Sequence, residues 1–118
     1  MYVLSLKGKF DAAHRLKDYD GDCSNLHGHT WKYKIAIKGA KPDAYGIIVD
    51  FRVLKNSVKS LDHNGTLNEI LGVPNPTAEF LSWWLWKQVV HYMNENNKQF
   101  ARIKVTIWES KDAKVTYG

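Results

Sequence analysis

The chain has 118 residues, enough for one hydrophobic core and too few for two, so a single domain over residues 1–118 is expected. With 44% hydrophobic and 25% charged residues its composition is globular, which excludes a disordered chain, and no apolar run is long enough for a membrane-spanning helix. Seventeen Lys plus Arg against twelve Asp plus Glu leave +5, which favours an anionic partner, either a phosphorylated small molecule or a nucleic acid.

The first residues, Met1 to Leu6, lack a basic segment followed by a long apolar one, so no signal peptide is read. One cysteine, Cys23, cannot form an internal disulfide, and a cytoplasmic protein with a free thiol is expected. The basic residues are scattered, with no two adjacent, and read first as a solvated face.

From Tyr2 to His14 the even positions carry Leu4, Leu6, Phe10, Ala12 and His14, and the odd ones Ser5, Lys7, Lys9 and Asp11. That alternation predicts a half-buried strand. Lys17 to Asn25 is a polar loop. A second alternation sets His27, His29, Trp31, Tyr33, Ile35 and Ile37 on one face, predicting a strand that pairs with the first as an antiparallel hairpin. After a short extended run, Asp50 is an N-cap for a helix marked by Phe51, Leu54, Val58 and Leu61 and stopped at Asn64-Gly65. Pro74 and Pro76 break the chain before Thr77, the N-cap of a second helix with Leu81, Trp84, Leu85, Val89 and Tyr92 as its buried stripe. Arg102 to Ser110 alternates again, with Ile103, Val105, Ile107 and Glu109 sharing a face, and Ala113 to Tyr117 returns as a last strand. The order ββααββ predicts an α+β fold, a four-stranded antiparallel sheet with two helices on one face. Its unpaired edges predict self-association.

His27 and His29 lie two apart on a strand, so their imidazoles leave the same face roughly 6–7 Å apart. With His14 on the apolar face of the paired strand, three neutral imidazoles line one cavity and leave a fourth metal position open, the arrangement of catalytic zinc. Copper and nickel accept the same ligands; zinc is the default. Cys23, four residues before His27, would become more acidic beside a cation and supply a thiolate base or nucleophile. Asp62-His63 ends the first predicted helix, where it reads either as a carboxylate-oriented imidazole or as a plain C-terminal histidine. Glu109 ends an apolar strand face, either solvated at the rim or set in a pocket for a basic heteroatom group. His91 reads as an ordinary helix-surface residue.

Together these pieces resemble the 6-pyruvoyl-tetrahydropterin synthase family. The resemblance is carried by Phe10-Asp11-Ala12-Ala13-His14, Cys23-Ser24-Asn25-Leu26-His27-Gly28-His29, Val49-Asp50-Phe51, Leu61-Asp62-His63, Pro76-Thr77-Ala78-Glu79 and Trp108-Glu109-Ser110. The Cys-x-x-x-His-Gly-His element is the specific one. Its three-residue gap resembles the bacterial and archaeal branch that forms 6-carboxy-5,6,7,8-tetrahydropterin; the pyruvoyl-forming branch usually has a longer gap. Trp31, where tyrosine is common, and Phe80, where asparagine is frequent, depart from the pattern outside the proposed ligands.

The resemblance implies the tunnelling fold, zinc on His14, His27 and His29, and Cys23 as base. It implies Asp62, His63 and Glu109 in proton-relay and pterin-anchoring roles, with Thr77 also at the substrate. The implied reaction converts 7,8-dihydroneopterin triphosphate to 6-carboxy-5,6,7,8-tetrahydropterin, acetaldehyde and triphosphate, in queuosine and preQ0 synthesis. The alternative is triphosphate elimination alone, the 6-pyruvoyl-tetrahydropterin synthase activity. The implied assembly is a homohexamer, a dimer of trimers, in which Asp62 and His63 serve a zinc held by a neighbouring subunit. No nucleic acid or membrane partner is implied. Two rival classes are a Cys23/His63 nucleophilic hydrolase, for which no local signature is present, and a non-enzymatic zinc or nucleic-acid-binding module suggested by the basic charge.

Overall fold

The period-two patterns form a sheet with the predicted pairing. In the computed structural model, which describes residues 1–21 and 24–118, β1 (Val3–His14) and β2 (His27–Lys38) pair antiparallel, from Val3 opposite Lys38 to His14 opposite His27. β3 (Arg102–Trp108) pairs with β2, and β4 (Lys114–Tyr117) with β3, giving the order β1-β2-β3-β4. On one face Phe10, Trp31, Ile35, Ile37, Ile103, Val105 and Ile107 are buried, while the alternate residues of the same strands are mostly exposed. One register therefore separates core from solvent along the whole sheet.

The core face is covered by helices. Thr77 accepts the Phe80 N–H on its hydroxyl oxygen and starts the longest helix, α3 (Ala78–Glu95), which two shorter helices precede in the chain. Ala78, Leu81, Ser82, Leu85, Val89 and Met93 are its buried row, whereas Trp84 and Tyr92 of the expected stripe are half-buried at its flanks. A fully buried Leu or Met contributes about 1.5–3 kcal/mol over an exposed one, so this row holds the helix to the sheet.

Asp50 caps α1 (Phe51–Asn56) as expected, accepting the Arg52 N–H, but the helix ends five residues before Leu61, the last residue of its expected stripe. The Ser57 hydroxyl and backbone N–H both turn onto the Leu54 carbonyl, which tightens the chain into a separate 3₁₀ turn over Lys59–Leu61. A short α2 (Leu67–Leu71) follows that the alternation reading did not assign. Its signals are local: Thr66 accepts the Glu69 N–H, and Gly72 closes it at φ 65°, a left-handed conformation that suits glycine. No helix among the described residues is long and apolar enough to cross a membrane.

Candidate metal centre and active site

The end of β1 is pinned to the segment before α3. Asn68 accepts the Arg15 N–H and donates to the carbonyls of Arg15 and Pro74, and Asn75 accepts the Lys17 N–H. This brings the Pro76 carbonyl to His14, whose Nδ1–H donates to it at 2.9 Å. His27 uses its own Nδ1–H on the Asn25 carbonyl at 2.7 Å. A carbonyl only accepts, so both rings must carry the proton on Nδ1 and present the lone pair on Nε2.

His14, His27 and His29 are brought together as the spacing predicts. Their ring centroids are 4.5, 5.2 and 4.8 Å apart, and Trp31 closes an apolar wall 5.0 Å from His14 and 5.3 Å from His29. Nε2 of His14 and Nε2 of His29 are buried and make no hydrogen bond among the described residues. Such orphaned polar atoms are costly in a folded protein and call for a ligand. Burial, the chief influence, pushes the His14 pKa down, and the other two imidazoles push it the same way, against the opposing hydrogen bond to Pro76. A neutral ring is the form that ligates metal.

Glu109 joins this group. β3 stops at Trp108, so Glu109 opens the turn to β4 rather than ending the strand, with its N–H on the Ala113 carbonyl. Its Oε1 stands 3.1 Å from His29 Nε2 and 3.6 Å from His14 Nε2. The four side chains can each offer a ligand atom, all within 4.8 Å of one another. The three convergent imidazoles fit a divalent metal with carbonyl partners orienting two of them, as outer partners do in metal sites.

Asp62 and His63 lie elsewhere. The Asp62 carboxylate accepts the Asp11 N–H at 2.8 Å and faces His63 Nδ1 at 2.9 Å, while the His63 N–H donates to the Asp11 carbonyl. His63 is held at φ 55°, uncommon for a side-chain-bearing residue, and its ring is largely exposed. The Asp11 backbone N–H, more than the neighbouring imidazole, holds the Asp62 carboxyl below its ordinary pKa. Asp11 itself accepts from the Thr30 hydroxyl and comes within 3.7 Å of His63 Nε2. Asp11 alternates with Ala12 and His14 on β1, so this second cluster faces the opposite side of the sheet from the three histidines.

Asp11 lies within the Phe10-Asp11-Ala12-Ala13-His14 motif, which by itself assigns it no role; the backbone pairing of residues 11 and 63 reveals its place. Thr77 sits beside Pro76 with its oxygen committed to capping α3. His91 is exposed on α3. Cys23 lies outside the described residues.

The profile of the family described as 6-pyruvoyl tetrahydropterin synthase matches residues 3–118. The 6-carboxy-5,6,7,8-tetrahydropterin synthase of Rickettsia bellii is 33% identical, over 78% of this chain and 83% of that protein. The protein of the same name from Haemophilus influenzae is 29% identical, over 93% of this chain and 94% of that one. In fold, the chain is similar to the 6-pyruvoyl tetrahydropterin synthase of Caenorhabditis elegans, with a TM-score of 0.71 over 99% of this chain and 96% of that chain, at 24% identity.

Proposed function

The chain belongs to the 6-pyruvoyl tetrahydropterin synthase family, and we propose that within it the protein is a zinc-dependent carbon–carbon lyase that forms 6-carboxy-5,6,7,8-tetrahydropterin. The substrates are 7,8-dihydroneopterin triphosphate and water, the other products are acetaldehyde and triphosphate, and the step belongs to queuosine and preQ0 synthesis in the cytoplasm. The observation that carries the reading is the convergence of His14, His27 and His29, with two buried Nε2 atoms that make no hydrogen bond among the described residues. The names of the relatives and the three-residue gap between Cys23 and His27 support this branch over triphosphate elimination alone.

His14, His27 and His29 would hold the zinc through Nε2. Bound there, zinc supplies Lewis acidity to the hydroxyls of the substrate side chain, which makes a neighbouring proton easier to remove. Cys23 takes that proton as thiolate base. His63, its ring held against the Asp62 carboxylate, returns a proton on the other side of the reacting carbons. Glu109, half-exposed at the mouth of the centre, accepts the pterin's N–H groups through its two carboxylate oxygens. The Thr77 hydroxyl keeps its hydrogen to donate to the substrate while its oxygen caps α3. Trp31 excludes water from the inner wall.

The opposite orientation of the His63 cluster supports a site completed between subunits. Among the described residues β4 and the N-terminal part of β1 are open sheet edges, the end of β1 being covered by residues 62–66, and closure of the open edges in a homohexamer, a dimer of trimers, would bring the His63 of one subunit to the zinc of another.

The test is product analysis after incubation of the zinc-loaded protein with 7,8-dihydroneopterin triphosphate. Equal amounts of 6-carboxytetrahydropterin, acetaldehyde and triphosphate are expected. Triphosphate with 6-pyruvoyltetrahydropterin and no acetaldehyde would assign the elimination-only activity instead.

A further inference from the structure

The sheet face turned away from α3 is basic along its length. Directly opposed residues of antiparallel strands point to the same side, and here the register sets Lys7 opposite Lys34, Lys9 opposite Lys32 and Lys38 opposite Arg102. Lys104 and Lys114 extend the same face on β3 and β4. Like charges directly opposed across strands destabilise a sheet, and this one carries such pairs where neutral residues would serve the fold as well. Among the described residues, none of these cations makes an ion pair with an Asp or Glu side chain. Asp11, on the same side, lies at the far end of β1 and is occupied with Thr30 and His63.

Toward the other end the cations converge. Lys34, Lys38, Arg102, Lys104 and Lys114 line a hollow of about 400 Å³, together with the hydroxyls of Thr106 and Thr116, which are hydrogen-bonded to each other at 2.8 Å. Arg102 donates one N–H to the Gly118 backbone oxygen and makes no other side-chain hydrogen bond among the described residues. The hollow is separate from the three-histidine centre. Lys34 is five residues beyond His29 along β2, about 17 Å, and faces the opposite side of the sheet.

We propose that this hollow is a binding site for a compact oligophosphate chain. Five converging cations and two hydroxyls match an anion with several charges on adjacent phosphates, and its occupation would offset the repulsion between the opposed Lys38 and Arg102. The hollow favours a small anion over a nucleic-acid strand. A strand needs a continuous groove with several rings on which bases stack, and this face offers Trp108, already approached by Lys114 at 5.6 Å and Lys7 at 6.0 Å. The site does not depend on the reaction proposed for the histidine centre.

The test is calorimetric titration of the zinc-loaded protein at low ionic strength with sodium triphosphate, ATP and oligothymidylate in separate runs. Saturable triphosphate binding that weakens as salt rises is expected. Lys34→Gln/Lys104→Gln should weaken it roughly tenfold or more, as expected for two lost charge contacts, while Lys41→Gln/Lys55→Gln, with the same loss of charge elsewhere, stays within about twofold of wild type. Any extraction of zinc by triphosphate is common to all three proteins and cancels in the comparison. Without anion, Lys34→Gln/Lys104→Gln should melt no lower than wild type, which shows that its fold is intact. ATP binding as tightly as triphosphate would make the tail of a nucleotide the ligand; a clear preference for triphosphate would make it the free anion. The proposal is overturned by absence of saturable triphosphate binding, by equal weakening in both double variants, or by tighter binding of oligothymidylate than of triphosphate.

Discussion

A histidine ring presents to a metal whichever nitrogen its other hydrogen bond leaves free. His14 gives Nδ1–H to Pro76 and His27 gives Nδ1–H to Asn25, so both offer Nε2 inward. The carriers of the centre were legible in the sequence because His-x-His on a strand fixes two side chains on one face, and β pairing adds the third. The carbonyls that orient them were not, since Pro76 reaches His14 across a separation of 62 residues through the Asn68 and Asn75 bridges. Two substitutions separate ligand from base. His27→Ala should lose stably bound zinc, because two imidazoles hold a catalytic zinc poorly. Cys23→Ala should keep about one zinc per chain and lose on the order of 10²–10⁴ in turnover, the usual effect of removing a general base. Metal analysis beside steady-state rates checks both, and wild-type turnover in Cys23→Ala would remove the thiol from the mechanism.

At the scale of elements, alternation sufficed for the strands and failed for the short helical pieces between α1 and α3. A strand announces itself by period two over many residues, and the two long strands here have twelve each. Five residues of α2 are too few to show a helical period, so only Thr66, Glu69 and Gly72 mark it. The end of α1 depends on one hydroxyl, that of Ser57, turning back onto its own helix. Close packing between strands is equally local. A Cβ at Gly8 would collide with the Tyr33 phenol, its directly opposed neighbour, and Tyr33 is buried. Gly8→Ala should therefore destabilise by about 1–3 kcal/mol, the usual range for overpacking a tight core. Urea unfolding of the variant against wild type checks this, and an unchanged midpoint would show that the ring moves freely.

For the whole molecule, two features of the sheet point outward: its open edges at β4 and the N-terminal part of β1, and the second cluster of Asp11, Asp62 and His63 on the side away from the three histidines. Edges were legible in the strand count. The separation of the two clusters was not, because it depends on residues 62 and 63 lying against the Asp11 backbone. If His63 acts on a neighbour's centre, an inactive His63→Ala chain mixed with an inactive Cys23→Ala chain should recover partial activity once subunits exchange. A complete site forms wherever an intact cysteine meets an intact histidine; a site contained in one chain would give none. The central claim, a catalytic zinc on three histidines with Cys23 free to act as base, is tested most directly by zinc-edge X-ray absorption on the purified protein. Three imidazole nitrogens at about 2.0–2.1 Å with one further oxygen or nitrogen ligand and no sulfur are predicted, whereas a sulfur at about 2.3 Å would make Cys23 a ligand and contradict the account.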